Sequence, residues 1–238
     1  MTRLRLLPLW SIALLLGITA CQERQFPTMT LAESPSSFVR LERDPMARNN
    51  GGHSHPVSLT PEHMAAVLSG VMIEEPSRLL SFLEKSPEPR RHPALNEAEI
   101  RFFAPLLAKG LALATTEEVV TFYQSHQDTA IIRKVTSGGM FAEGDRLHIV
   151  LSNYRSPTHS ASDPGVDDTM DDRLTPMRSI APQETRLYYE PSDALAASDA
   201  TVLSTLFSAE RRELIVQYKK LAPAGAGARY EAESQKSQ

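Results

Sequence analysis

The chain has 238 residues, a formal net charge of −4, 41% hydrophobic and 23% charged residues, and one cysteine, Cys21. One cysteine excludes an internal disulfide and any zinc site built on two thiolates. The ordinary apolar fraction allows a globular core, and the acidic balance argues against nucleic acid as a partner, because a phosphate-binding surface needs clustered positive charge.

The first residues read in three parts. Thr2-Arg3-Leu4-Arg5 is a positive start, Leu6 to Ile18 is an apolar run, and the small residues Thr19 and Ala20 precede Cys21. This is the pattern of a cleaved export signal over residues 1–20. The run is interrupted by Pro8 and Gly17 and falls short of the roughly 20 residues a spanning helix needs. Ile18-Thr19-Ala20-Cys21 resembles the lipobox of bacterial lipoproteins, and the resemblance covers residues 1–21 only. It implies a diacylglyceryl thioether on Cys21, cleavage before it, and acylation of the new amine. Gln22 replaces the Asp that resembles the inner-membrane retention signal of enteric bacteria, so the outer membrane is the expected address. Loss of Arg3 and Arg5 with the signal leaves 23 basic and 29 acidic residues, a net charge of about −6. That charge disfavours adhesion to anionic lipid, so attachment rests on the acyl chains, several of which hold a protein stably.

Residues 21–56 are expected to be the lipidated N-terminus and a flexible tether. Pro27, Pro35, Pro45, Pro56 and Gly51-Gly52 lie there among scattered charges, with weak apolar periodicity. Phe38, Val39 and Leu41 allow one short strand or docking segment. Fully extended, such a tether would span roughly 115–125 Å. At the other end, residues 222–238 are poor in apolar side chains and are expected to be a disordered tail.

Between them, residues 57–221 are expected to fold as a single α+β domain. Thr60-Pro61-Glu62 opens a helix that Gly70 ends, and Val71-Met72-Ile73 is a short strand. Ser77 caps a second short helix. Asn96-Glu97-Ala98-Glu99 starts a longer one through Leu113, with Pro105 inside it. Val119 to Tyr123 fits helix or strand. Ala130 to Val135 is β-rich, Gly138 to Asp145 has hairpin-turn chemistry, and Arg146 to Tyr154 and Arg186 to Glu190 are strands. Leu214 to Tyr218 is a last strand, or the end of a helix from Val202. Helices first and strands after predicts N-terminal helices packed on a small antiparallel sheet.

No catalytic constellation emerges. Gly138-Gly139 with Gly144 misses the spacing of phosphate loops and reads as a turn. His53, His55 and nearby His63 are residue types that bind zinc or copper, but the first two sit in the expected tether and read as solvated. Asp163, Asp167, Asp168, Asp171 and Asp172 form an acidic cluster without the EF-hand pattern and read as a solvated loop. His148, opposite Leu147 and Ile149 on its strand, reads as a packed or edge histidine. No Gly-x-Ser-x-Gly elbow occurs. Tyr154-Arg155 with Tyr188 and Tyr189 offers an aromatic-plus-arginine interaction patch. The resulting expectation is a non-enzymatic envelope lipoprotein without a cofactor, bound to the membrane through Cys21 and serving structure or assembly with another envelope protein. A small-ligand or metal-binding lipoprotein is the first alternative and a hydrolase the second.

Overall fold

A computed structural model describes residues 27–47, 51–75, 90–159, 172–196 and 212–221. Among the described residues, two α-helices form where local capping chemistry is strong. Thr60 Oγ1 accepts from the His63 amide and Pro61 sits in the first turn of α1, Pro61–Ser69. Asn96 and Glu99 cap each other's backbone reciprocally at the start of α2, Glu97–Leu113, which accommodates Pro105. The capping box satisfies amides that a helix start otherwise leaves bare.

Nine strands are described: β1 Pro27–Glu33, β2 Ser37–Arg43, β3 Val71–Glu75, β4 Arg90–Pro93, β5 Glu118–Gln127, β6 Ile132–Glu143, β7 Arg146–His159, β8 Arg186–Tyr189 and β9 Glu213–Val216. They build a six-stranded sheet in the order β1-β2-β5-β6-β7-β9 and a three-stranded sheet in the order β4-β3-β8. Every pairing is antiparallel.

Helices packed on a small sheet is therefore not the architecture. The described residues are mainly antiparallel β, and the first two elements among them are strands. The expected tether contains β1 and β2, so from residue 27 onwards that expectation is withdrawn. Pro27, Pro35 and the charges of residues 40–43 had the look of a linker, but here Arg40 and Glu42 are buried and compensate each other, Nε to Oε1 at 2.6 Å. β2 pairs with β5 in a register that sets Val39 opposite Phe122. Val119 to Tyr123 lies in β5. Gly138 and Gly139 belong to β6 rather than to a turn; the turn itself is Gly144-Asp145, with Gly144 at a φ of +61°. Residues 213–216 are strand. The expected helices at Ser77 and Val202, the acidic residues 163–171, and residues 1–26 and 222–238 lie outside the described residues.

The main core lies between the inner face of the large sheet, the two helices and the small sheet. Val39, Val120, Phe122, Met140, Leu147 and Ile149 meet Met64, Val67, Phe103, Leu107 and Leu111, with Ile73 and Tyr189 from the small sheet. Gly70 allows the close approach of β8, since a Cβ there would overlap the Tyr189 ring and the Glu190 carbonyl.

The outer face of the large sheet is buried too. The segment between β7 and β8, from Asp172 to Gln183, crosses it as a strap. Met177 packs on Val119, Phe141 and Val150, and Ile180 on Phe38, Tyr123 and Val135. Polar residues on the strands hold the strap. Ser137 Oγ donates to Pro176 O at 2.8 Å, Ser152 Oγ to Met177 O at 2.8 Å, and Asn153 Nδ2 to Arg178 O at 2.7 Å. The Ile180 amide donates to Asn153 Oδ1 at 2.8 Å. A Cβ on Gly139 would overlap Met177 Sδ, so the glycine leaves the strap its seat.

Candidate functional site

A convergence of titratable side chains lies where the outer face meets the loop after β2. Asp44 and His53 come from that loop and the segment following it, Phe141 and Glu143 from β6, His148 from β7 and Glu213 from β9. Together they line a cleft of about 120 Å³. Alternation along β7 sends His148 to the outer face, away from Leu147 and Ile149 in the main core. Its ring stacks on Phe141 at 4.6 Å and 14°. His148 Nδ1 hydrogen-bonds Glu213 Oε1 at 2.8 Å, and Glu143 stands 3.4 Å from Nε2 without a well-aligned hydrogen bond. On the other side of the cleft His53 Nε2 hydrogen-bonds Asp44 Oδ2 at 3.0 Å, and its ring lies 4.3 Å from that of Phe141.

Two histidine–carboxylate pairs thus flank one aromatic ring. Each pair fixes its imidazole, and the His148–Glu213 pair links segments distant in sequence. No hydroxyl or thiol among the described residues hydrogen-bonds either of these two histidines. Nor does any group of three His, Cys, Asp or Glu residues among the described residues converge as metal ligands.

His53 and His55, expected to be solvated, are both buried. His63 does not join them; its Nε2 bonds the Tyr218 carbonyl at 2.7 Å. Neither ring nitrogen of His55 makes a hydrogen bond of ordinary geometry. Burial, reinforced by His53 and opposed by Glu118 and the Leu111 backbone, pushes the His55 pKa down from 6.5 to about 4. Desolvation disfavours the charged ring. The folded protein therefore keeps His55 neutral where the unfolded chain protonates it. Stability is full above about pH 6.5 and falls as the pH drops towards about 4, by at most about 3 kcal/mol. Urea midpoints between pH 7 and pH 4 should show this loss, and the His55→Leu variant should lack that component.

Of the acidic cluster only Asp172 is described, and it is structural. It is buried, takes Arg133 at 2.7 Å and Tyr123 Oη at 3.1 Å, and secures one end of the strap. The expected tyrosine–arginine patch is divided. Tyr154 is buried and bonds His92 at 2.9 Å, while Tyr189 is buried and donates to Val67 O at 3.1 Å. Burial pushes both phenol pKa values up. Half-buried Tyr188 lies under the Arg91 guanidinium at 4.3 Å, and Arg155 is 5.3 Å from the Tyr154 ring.

Sequence reasoning named His53, His148 and Asp172 but not the carboxylates that meet the histidines. His148 and Glu213 adjoin only because β7 pairs with β9 in a register that sets Val150 opposite Glu213 and His148 opposite Ile215. That pairing has no local signature. No protein-family model, no curated protein and no solved structure matches the chain.

Proposed function

We propose that this chain is a lipid-anchored envelope protein with a structural or assembly role, attached to the outer membrane through an acylated Cys21. Ile18-Thr19-Ala20-Cys21 and Gln22 support the anchor and its address. The observation that carries the working model is the short spacing from Cys21 to Pro27, where β1 begins. Six Cα steps reach roughly 20–22 Å even when fully extended. A lipid on Cys21 would therefore keep the start of the large sheet within that distance of the bilayer surface. The body would meet partners in a thin layer above the membrane rather than sweep the volume a long tether allows. β1 forms one margin of the large sheet and exposes Met29. It is the strand closest in sequence to the anchor and a natural place for an envelope partner to contact.

Fractionation of cells producing wild-type protein and Cys21→Ser tests this reading. The wild-type protein is expected in the membrane pellet and released by detergent, and the variant in the soluble fraction. Wild-type protein in the soluble fraction, or a variant that still pellets with membranes, would remove the lipid anchor from the account.

A further inference from the structure

A second cleft, of about 380 Å³, lies beside β7 under the end of the strap. Its walls are apolar where Met177, Ile180, Ala181 and Pro182 contribute, and its one charged lining residue is Arg212. That arginine differs from the other arginines drawn into the fold. Arg40 pairs with Glu42 at 2.6 Å, Arg133 with Asp172 at 2.7 Å and Arg173 with Glu33 at 3.2 Å. Arg212 has only neutral partners among the described residues: Nη1 donates to Gln183 Oε1 at 3.0 Å and Nη2 to Thr185 Oγ1 at 2.8 Å. Partial burial lowers its pKa, the sign of a cation stripped of water without a compensating anion. Removing a charge from water is costly unless it is paired.

The guanidinium is also held in place. Gln183, which receives one of its N–H groups, is itself fixed by the Tyr154 amide on Oε1 and by donation from Nε2 to Ser156 Oγ and the Ala181 carbonyl. A guanidinium carries five N–H donors in a rigid fork. Two are used here, leaving three for a ligand.

We propose that this cleft binds a small organic monocarboxylate, with the carboxylate on the free donors of Arg212 and a short aliphatic body against Met177, Ile180 and Pro182. One cation matches one negative charge, and the planar fork suits a carboxylate. The apolar walls favour a ligand with a hydrocarbon body over inorganic phosphate, and the volume falls within the range of small-molecule pockets. The site does not depend on the lipid anchor.

The test is an NMR titration of the full chain carrying Cys21→Ser with sodium hexanoate, with 1-hexanol and sodium phosphate as separate probes. Saturable shifts of the Arg212 Nε–H signal and the Met177 methyl are expected with hexanoate and not with the other two. Arg212→Met should weaken hexanoate binding roughly tenfold or more, since a charge-assisted hydrogen bond is lost. Should that variant not fold, Ser179→Phe fills the cleft from its exposed rim with Arg212 intact, and it should abolish the same shifts. Absence of saturable shifts, equal affinity in a folded Arg212→Met or Ser179→Phe variant, or tighter binding of phosphate than hexanoate would each overturn the proposal.

Discussion

Arg40→Met is expected to destabilise the protein by about 3–5 kcal/mol near neutral pH, among the largest effects of any single substitution on the sheet's outer face. Arg40 and Glu42 are two residues apart on β2, so their side chains share the outer face. Both are buried and Glu42 is fully enclosed. Arg40 contacts the Glu42 carboxylate, donates to the Arg173 carbonyl of the strap and lies 3.9 Å from the centre of the Phe38 ring. Burial pushes the Glu42 pKa up even with Arg40 present to oppose it. Without Arg40 the carboxylate would be buried with no counter-charge, a far larger cost than the net worth of the pair. Glu42 then gains a proton on folding at pH values where the unfolded chain is ionised. The native state binds more protons, so the penalty shrinks as the pH falls towards the unfolded carboxylate value and grows above it. Urea denaturation at pH 7 and pH 5 should show the larger deficit at pH 7. The double variant Arg40→Met with Glu42→Leu should recover most of the loss, because removing both partners leaves no orphaned charge. A single-variant loss below about 1 kcal/mol would show that the pair is solvated or dispensable.

The second large effect is expected for Asn153→Ala, at about 3 kcal/mol, with selective loosening of the strap. Asn153 is buried and makes three hydrogen bonds: Nδ2 to Ser137 Oγ at 2.9 Å, Nδ2 to Arg178 O at 2.7 Å, and Oδ1 from the Ile180 amide at 2.8 Å. Two of the three reach the strap's backbone, so truncation removes its attachment at Arg178 and Ile180 while the β-ladder and the bonds from Ser137 and Ser152 remain. Hydrogen exchange should quicken at the Ile180 amide much more than at amides of the β5–β6 ladder. A uniform change across both regions would mean that strap and sheet open only together, contrary to this prediction. The consequence for the proposed ligand site is direct, because Met177 and Ile180 are shared between the strap's seat and the wall of the Arg212 cleft.

These polar attachments show why part of the fold was legible in the sequence and part was not. Thr60 with Pro61, and Asn96 with Glu99, act within four residues of the helix they start, so α1 and α2 could be read locally. The same holds for the turn at Gly144-Asp145 and for the apolar core of β7. The strands of residues 27–43 were obscured because they carry prolines and a charge pair that looks solvated in sequence and is buried in the fold. A sequence-level sign of the strap was that Val119 to Tyr123 carries apolar or aromatic residues on both faces, as do Met140-Phe141 and Ile149-Val150, a pattern of strands covered on both sides. Ser137, Ser152 and Asn153 lie on that hidden outer face and read as solvent-facing until the strap's carbonyls are set above them. The histidine cleft depends similarly on β7–β9 pairing. Arg212 is unremarkable as a sequence feature, and its distinction is the absence of a described carboxylate partner in a place where other arginines have one.

The most direct measurement of the central claim is the intact mass of the protein extracted from native membranes. The account predicts a species beginning at Cys21 and carrying the added mass of a diacylglyceryl group and an amide-linked acyl chain. That species would put the start of β1 within roughly 20–22 Å of its lipid. An unacylated chain, whether it retains residues 1–20 or starts elsewhere, would contradict it.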